Sequence, residues 1–195
     1  MEQLRAFIAV ELPLRAREAL EGVTADLQAL ALTGVRWVRP EGVHLTLKFL
    51  GNIGSASIEP ISQAMSRCAA STAPFELSLG KVGAFPSLRA PRVIWVGLEG
   101  ALEPLLGLQR TLEDELAGLG FIPERRPYSA HLTLGRIREG TPPAQRRRVG
   151  DALGQVLEAE DAELPVKDIS LIKSTLAPTG ATYTGLFSAL LGRAP

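Results

Sequence analysis

Histidine is scarce in this chain: 195 residues carry two. Cysteine is scarcer. Cys68 stands alone, so no disulfide can close within the chain, which fits a reducing compartment. It sits in ISQAMSRCAA, which reads as a helix, and its expected role is a small buried side chain. Net charge is also missing. Twenty-one Lys and Arg balance 21 Asp and Glu, so no global field draws the molecule to a polyanion. No apolar run approaches the roughly 20 residues of a membrane span. The opening MEQLRAFIAVELP lacks the apolar core and cleavage site of a secretory signal. These absences point to a soluble cytoplasmic protein, expected to be a monomer, with no membrane partner. Lysine is rare beside arginine, 4 against 17. Arginine forks suit phosphate, although a GC-rich genome yields the same ratio.

What is present is a mixed set of elements in a length that suits one compact domain or two small lobes. RAFIAVEL (5–12) is a strand stopped by Pro13. Residues 14–32 space Leu20, Val23, Leu27 and Leu30 at helical intervals. VRWV (35–38) is a short strand before an Arg39-Pro40-Glu41-Gly42 turn. HLTLKFLG (44–51) alternates as a strand. Ser55 or Ser57 can cap a helix to about residue 70. Residues 74–85 form one or two strands, 93–98 a strand, 101–118 a helix and 129–137 a strand. A helix from Pro142 or Pro143 to about 158 uses proline well at its first position. Residues 166–176 and 181–191 close the chain as two strands, turned across Pro178-Thr179-Gly180.

The two histidines open the same word, His-Leu-Thr-Leu, at residues 44 and 131. At that spacing of 87 residues, Arg5–Val10 falls on Arg92–Gly97, helix 14–32 on helix 101–118, and Arg39-Pro40 on Arg126-Pro127. Strand, helix, Arg-Pro turn and HLTL strand thus recur in one order. The expected fold is α+β: two pseudo-symmetric lobes in one domain, each a mainly antiparallel sheet with helices on its outer side, facing a central groove. The repeat runs approximately over 5–51 and 92–138. A parallel βαβ sheet is the alternative.

Side chains of a strand alternate between faces. His44 and Thr46 therefore share one face, Leu45 and Leu47 the other, and likewise His131 and Thr133 against Leu132 and Leu134. The leucines anchor each strand on a core. The groove then receives an imidazole and a hydroxyl from each wall, about 6–7 Å apart along the strand. One neutral histidine can take a proton from an attacking hydroxyl while a charged one supplies a proton to the departing oxygen. Threonine hydroxyls can bond the non-bridging oxygens of a phosphate between them. Two His and two Thr with no acidic or Cys neighbour make a poor zinc shell, so no metal is expected. No G-x-S-x-G elbow supports a serine triad.

Paired H-x-T-x motifs, one per half, resemble the 2H phosphoesterase superfamily. RAFIAVELP, GVRWVRPEGVHLTLKFLG, PFELSLGKVGAFPS and RRPYSAHLTLGRIR are together similar to the bacterial and archaeal RNA 2′,3′-cyclic phosphodiesterases, also called 2′-5′ RNA ligases. The resemblance spans nearly the whole chain and is weakest over 140–165. It implies a bilobal α+β fold around a V-shaped groove. It also implies hydrolysis of an RNA or nucleoside 2′,3′-cyclic phosphate to a 2′-phosphate, without cofactor. In that reading His44 is the proton donor to the leaving O3′ and His131 the proton acceptor that activates water. Thr46 and Thr133 hold phosphate oxygens, Arg136 contacts phosphate or ribose, and Phe49 stacks on the base.

Phe49 and Arg136 each stand five residues after a histidine. On an ideal strand that odd offset puts them on the leucine face. They reach the groove only where the strand ends, twists or bulges, and Gly135 permits a bulge. Lys48 is expected on the His44 face. Arg39, Arg89, Arg92, Arg125 and Arg126 can guide an RNA backbone, with modest, salt-sensitive affinity. Arg146-Arg147-Arg148 reads as a solvated helix face. Two other activities fit the same motifs: ATP-independent 2′-5′ ligation, since no G-x-x-x-x-G-K-[ST] loop is present, and RNA-end binding without turnover.

Overall fold

The computed structural model describes residues 3–155, 162–177 and 180–193. Strand β1 (Gln3–Glu11) ends before Pro13 and leads into helix α1 (Leu14–Ala29). The short strand β2 (Val35–Trp37) and a 3-10 turn at Pro40–Gly42 precede β3 (His44–Gly54). Helix α2 (Ile58–Ala70) follows, then β4 (Phe75–Phe85), β5 (Val93–Gly100) and helix α3 (Leu102–Gly118). Strand β6 (His131–Ile137), helix α4 (Pro143–Leu153) and strands β7 (Glu163–Val166), β8 (Asp168–Ala177) and β9 (Gly180–Leu190) complete the chain.

The strands form two sheets, ordered β3-β1-β8-β9 and β2-β6-β5-β4-β7, and every strand pair is antiparallel. The fold is α+β and two-lobed, not a parallel βαβ sheet. Neither lobe is a contiguous half of the chain. β2 lies in sequence between β1 and β3 yet bonds to β6 in the second sheet. α3 follows β5 but packs with α2 against the first sheet, while α1 follows β1 and contacts β7 of the second. One continuous hydrophobic cluster therefore joins both lobes, from Ile8 and Leu45 to Ile94 and Leu132. Fully buried side chains such as Ile61, Met65, Leu105 and Leu112 contribute roughly 1.5–3 kcal/mol each by leaving water.

Several local expectations change. Residues 75–85 are one strand, whose pairing with β5 shifts register between Leu79 and Val82. The strand expected over 166–176 is β8 from Asp168, and Val166 belongs instead to a separate edge strand, β7, where the backbone donor that Pro165 lacks is dispensable. Ser57 stands at the cap of α2 without a side-chain cap bond. α4 ends at Leu153, and the expected continuation over 156–158 lies outside the described residues. Pro178 and Thr179 of the closing turn also lie outside them.

Candidate active site

The two HLTL strands pair with their neighbours in the same irregular way. In the first lobe Ala9 opposes Thr46 and Ile8 opposes Lys48, so Leu47 is an extra residue. In the second, Trp95 opposes Thr133 and Ile94 opposes Gly135, so Leu134 is extra. Each fourth position of the word is therefore a β-bulge, which flips the facing of everything after it. By these ladders Ile8 matches Ile94, one residue away from the match that the 87-residue offset assigns. The insertion of one residue between the copies is invisible in the HLTL words themselves.

The bulges answer the odd offset. Leu45, Leu47, Leu132 and Leu134 are buried as expected. His44, Thr46, His131 and Thr133 are half-buried on the opposite face. After the bulge Phe49 returns to the His44 face and is 66% exposed, and Arg136 is exposed on the His131 face while Gly135 is buried. Gly135 is closely fitted there: a Cβ would stand 3.0 Å from the Trp37 ring and 3.1 Å from Val35, so these side chains would have to shift slightly. The same flip overturns the expectation for Lys48. It is 7% exposed and turned inward, where its Nζ donates to Glu113 Oε2 at 2.6 Å and to the Ile122 carbonyl at 2.8 Å.

The lobes are tied directly at the motifs. Tyr128, three residues before His131, donates its hydroxyl to the Thr46 carbonyl at 2.9 Å. Burial pushes this phenol above its ordinary range, so it stays a donor. Within the second sheet, Val38 N–H donates to the Leu134 carbonyl at 2.8 Å and extends the β2–β6 pairing toward β3. β3 and β6 consequently lie against each other, with Thr46 of the first word bonded to the segment that leads into the second.

The surroundings of the two imidazoles differ. His44 stacks on Phe7 with ring centroids 4.5 Å apart and meets the edge of Tyr183 at 5.1 Å. Phe7 also approaches Phe49 at 6.2 Å. Glu11 is the cross-strand partner of His44 and accepts from Ser170 Oγ at 2.8 Å. Burial lowers the His44 pKa to about 4, against opposing contributions from Glu11 and a backbone hydrogen bond at Gly42. A cavity of about 180 Å³ opens beside it, lined in part by Glu11, Arg17, Glu41 and Tyr183. His131 has Gly97 opposite it in place of an acid. Its Nδ1 lies 2.7 Å from the Ser129 carbonyl; a proton on Nδ1 makes that bond and leaves Nε2 free to accept. Phe85 meets the ring edge-on at 5.0 Å and rests against Trp95 at 5.0 Å.

Phe7, Glu11, Tyr183, Phe85, Trp95 and Tyr128 are neighbours that sequence reasoning did not single out. Only Phe7 and Glu11 carried a signal, since alternation from β1 places both on the face of Ala9. Cys68 is buried, and burial pushes its thiol up to about 11, which removes it as a nucleophile. Arg146 donates from Nε to the Thr141 carbonyl. Among the described residues no group of three or more His, Cys, Asp or Glu is placed to hold a metal ion, and no helix is long and apolar enough to cross a membrane.

A family model described as LigT-like phosphoesterase matches twice, over residues 10–95 and 96–183. The chain is 35% identical over 184 residues to the RNA 2′,3′-cyclic phosphodiesterase of Methanothermobacter thermautotrophicus, covering 94% of this chain and 97% of the relative. It is 34% identical over 188 residues to the protein of that name from Thermus thermophilus, covering 94% and 88%. Among solved structures, E. coli LigT complexed with 3′-AMP superposes with a TM-score of 0.79 at 26% identity, covering 98% of this chain and all of that one. Both copies of the HLTL word fall inside the matched segments, and this chain belongs to the LigT-like phosphoesterase family.

Proposed function

We propose that the protein hydrolyses the 2′,3′-cyclic phosphate of an RNA end or a nucleoside to a 2′-phosphate, with His44 and His131 as the acid and base and without a metal. The observation that carries this reading is the placement of both imidazoles, each with a threonine, on the groove faces of two strands that touch. The phosphate sits between the walls. His131 Nε2 takes a proton from water as its oxygen bonds to phosphorus. The P–O3′ bond breaks, and O3′ takes a proton from His44. Thr46 and Thr133 hold non-bridging oxygens, and Arg136 offsets the charge gathering there. Phe49, exposed beside the Phe7–His44 stack, offers a face for the terminal base. The Ser129 contact supports His131 as the base, because it leaves one nitrogen free to accept. His44 is neutral in the empty groove at pH 7. The anionic phosphate then supplies the opposite charge that draws a proton onto it. Both histidines come from one chain, so a monomer suffices. A reducing cytoplasm suits the single buried thiol.

The test is incubation with the four nucleoside 2′,3′-cyclic phosphates and a short RNA bearing the same end, in excess EDTA, with the product identified by phosphorus NMR. A 2′-phosphate is expected. A 3′-phosphate would reverse the substrate in the groove. Loss of turnover in EDTA would remove the metal-free mechanism. Joining of RNA halves with no hydrolysis would favour 2′-5′ ligation.

A further inference from the structure

Resting on that reading, we propose that Arg36 and Arg136 form a subsite for the RNA strand itself, in which Arg36 binds the phosphodiester on the 5′ side of the terminal nucleotide. β2 is an edge strand of the second sheet, and its register on β6 is Val35 opposite Ile137, Arg36 opposite Arg136 and Trp37 opposite Gly135. Val35 is buried and Trp37 packs against the core, so Arg36 turns to the other face, the face of His131, Thr133 and Arg136. Direct cross-strand partners hold their Cβ atoms about 4.5–5.5 Å apart. Two guanidinium groups are thus set side by side next to the catalytic word, both exposed. Among the described residues neither has a carboxylate partner. The next strand over presents Val93 to Arg136, not an acid, and Arg138 adds a third exposed cation two residues further on. Like charges placed opposite each other weaken strand pairing. Anions bound at the pair reverse the sign, and the two non-bridging oxygens of a phosphodiester suit a guanidinium fork. With Arg136 directed to the reacting end, Arg36 lies one strand further out, where the chain of an RNA leaves the groove.

Three substrates with one terminal nucleoside test this: its 2′,3′-cyclic phosphate, the same compound with a 5′-phosphate, and a dinucleotide ending in it. The wild-type kcat/KM is expected to rise when the 5′-side phosphate is present. Arg36→Gln is expected to lower that gain about tenfold, mainly through KM, the size of one charge-assisted hydrogen bond. It should also reduce the salt slope on the dinucleotide by about 0.7–1. Arg36→Lys should recover part of the gain. Equal losses on all three substrates, or no loss on the two that carry the 5′-side phosphate, would overturn the subsite. If the wild type turns over none of them, the hydrolytic reading fails instead. Equilibrium binding of a dinucleotide bearing a terminal 2′-phosphate then decides the subsite. Weaker binding to Arg36→Gln than to the wild type upholds it, and equal binding overturns it.

Discussion

His44 and His131 open identical words on strands that share a bulge at the fourth residue, yet they face different neighbours. The wall of His44 is aromatic and acidic: Phe7 and Tyr183 contact the ring, and Glu11 sits across the ladder. The wall of His131 keeps an aromatic contact, Phe85, but Arg136 stands where the first copy has Phe49, and the uncharged Gly97 where it has Glu11. A shared backbone device, the bulge at the fourth residue, delivers the second side chain after it to the groove face. One copy delivers an aromatic platform and the other a guanidinium. The scaffold supplies geometry twice, and the neighbouring strands decide what each histidine can do.

Replacing either histidine tests whether the copies are both required. His44→Ala and His131→Ala are each expected to lower kcat on a nucleoside 2′,3′-cyclic phosphate by about 10²–10⁴-fold, measured in EDTA. A variant that keeps most of the rate would reduce the mechanism to one histidine. Among the described residues, the buried ion pair lies behind the first copy alone. Lys48→Met leaves Glu113 without its cation, although Gln109 and the Glu124 amide still donate to it. A destabilisation of about 3 kcal/mol is expected, read by urea denaturation.

The different burial of the rings gives a pH signature. Unfolded His44 titrates near 6.5 and the folded ring at about 4, so between these values the unfolded chain binds more protons. Stability therefore falls as pH drops through that window, by up to about 3 kcal/mol. His44→Asn should abolish that part of the slope. If the slope survives, another group carries it. In the native protein, adding a nucleoside 2′-phosphate should raise the NMR-observed pKa of His44. The smallest effect is expected at the strut between the copies. Tyr128→Phe removes one hydrogen bond to Thr46, worth about 1 kcal/mol of stability. It should lower kcat more than it raises KM, because it loosens the spacing of the two walls and not the contacts of either. A pure KM change would assign Tyr128 to substrate contact instead.

Much of this was legible in order of residues. The repeated strand, helix and HLTL sequence, the leucine face and the antiparallel class all follow from alternation and spacing. The bulge was foreseen as a condition on Arg136 through Gly135 but not at Leu47, which has no glycine beside it, and so Lys48 was assigned the wrong face. β7 was not separated from the strand expected over 166–176, and the donor that Pro165 lacks costs nothing at its edge position. Arg36 gave no signal, because strand β2 pairs across the halves and pairing partners cannot be read from a three-residue run.

The sequence by itself determined that two imidazole–hydroxyl pairs face away from leucine-anchored strands, since a period of two admits no other arrangement over four residues. The tertiary structure alone decided which residues join them. Exchange of β2 and the helices between lobes, the cross-lobe Tyr128 bond and the one-residue bulges are long-range choices. They are made by burial of a common core, which rewards matching surfaces regardless of their distance along the chain.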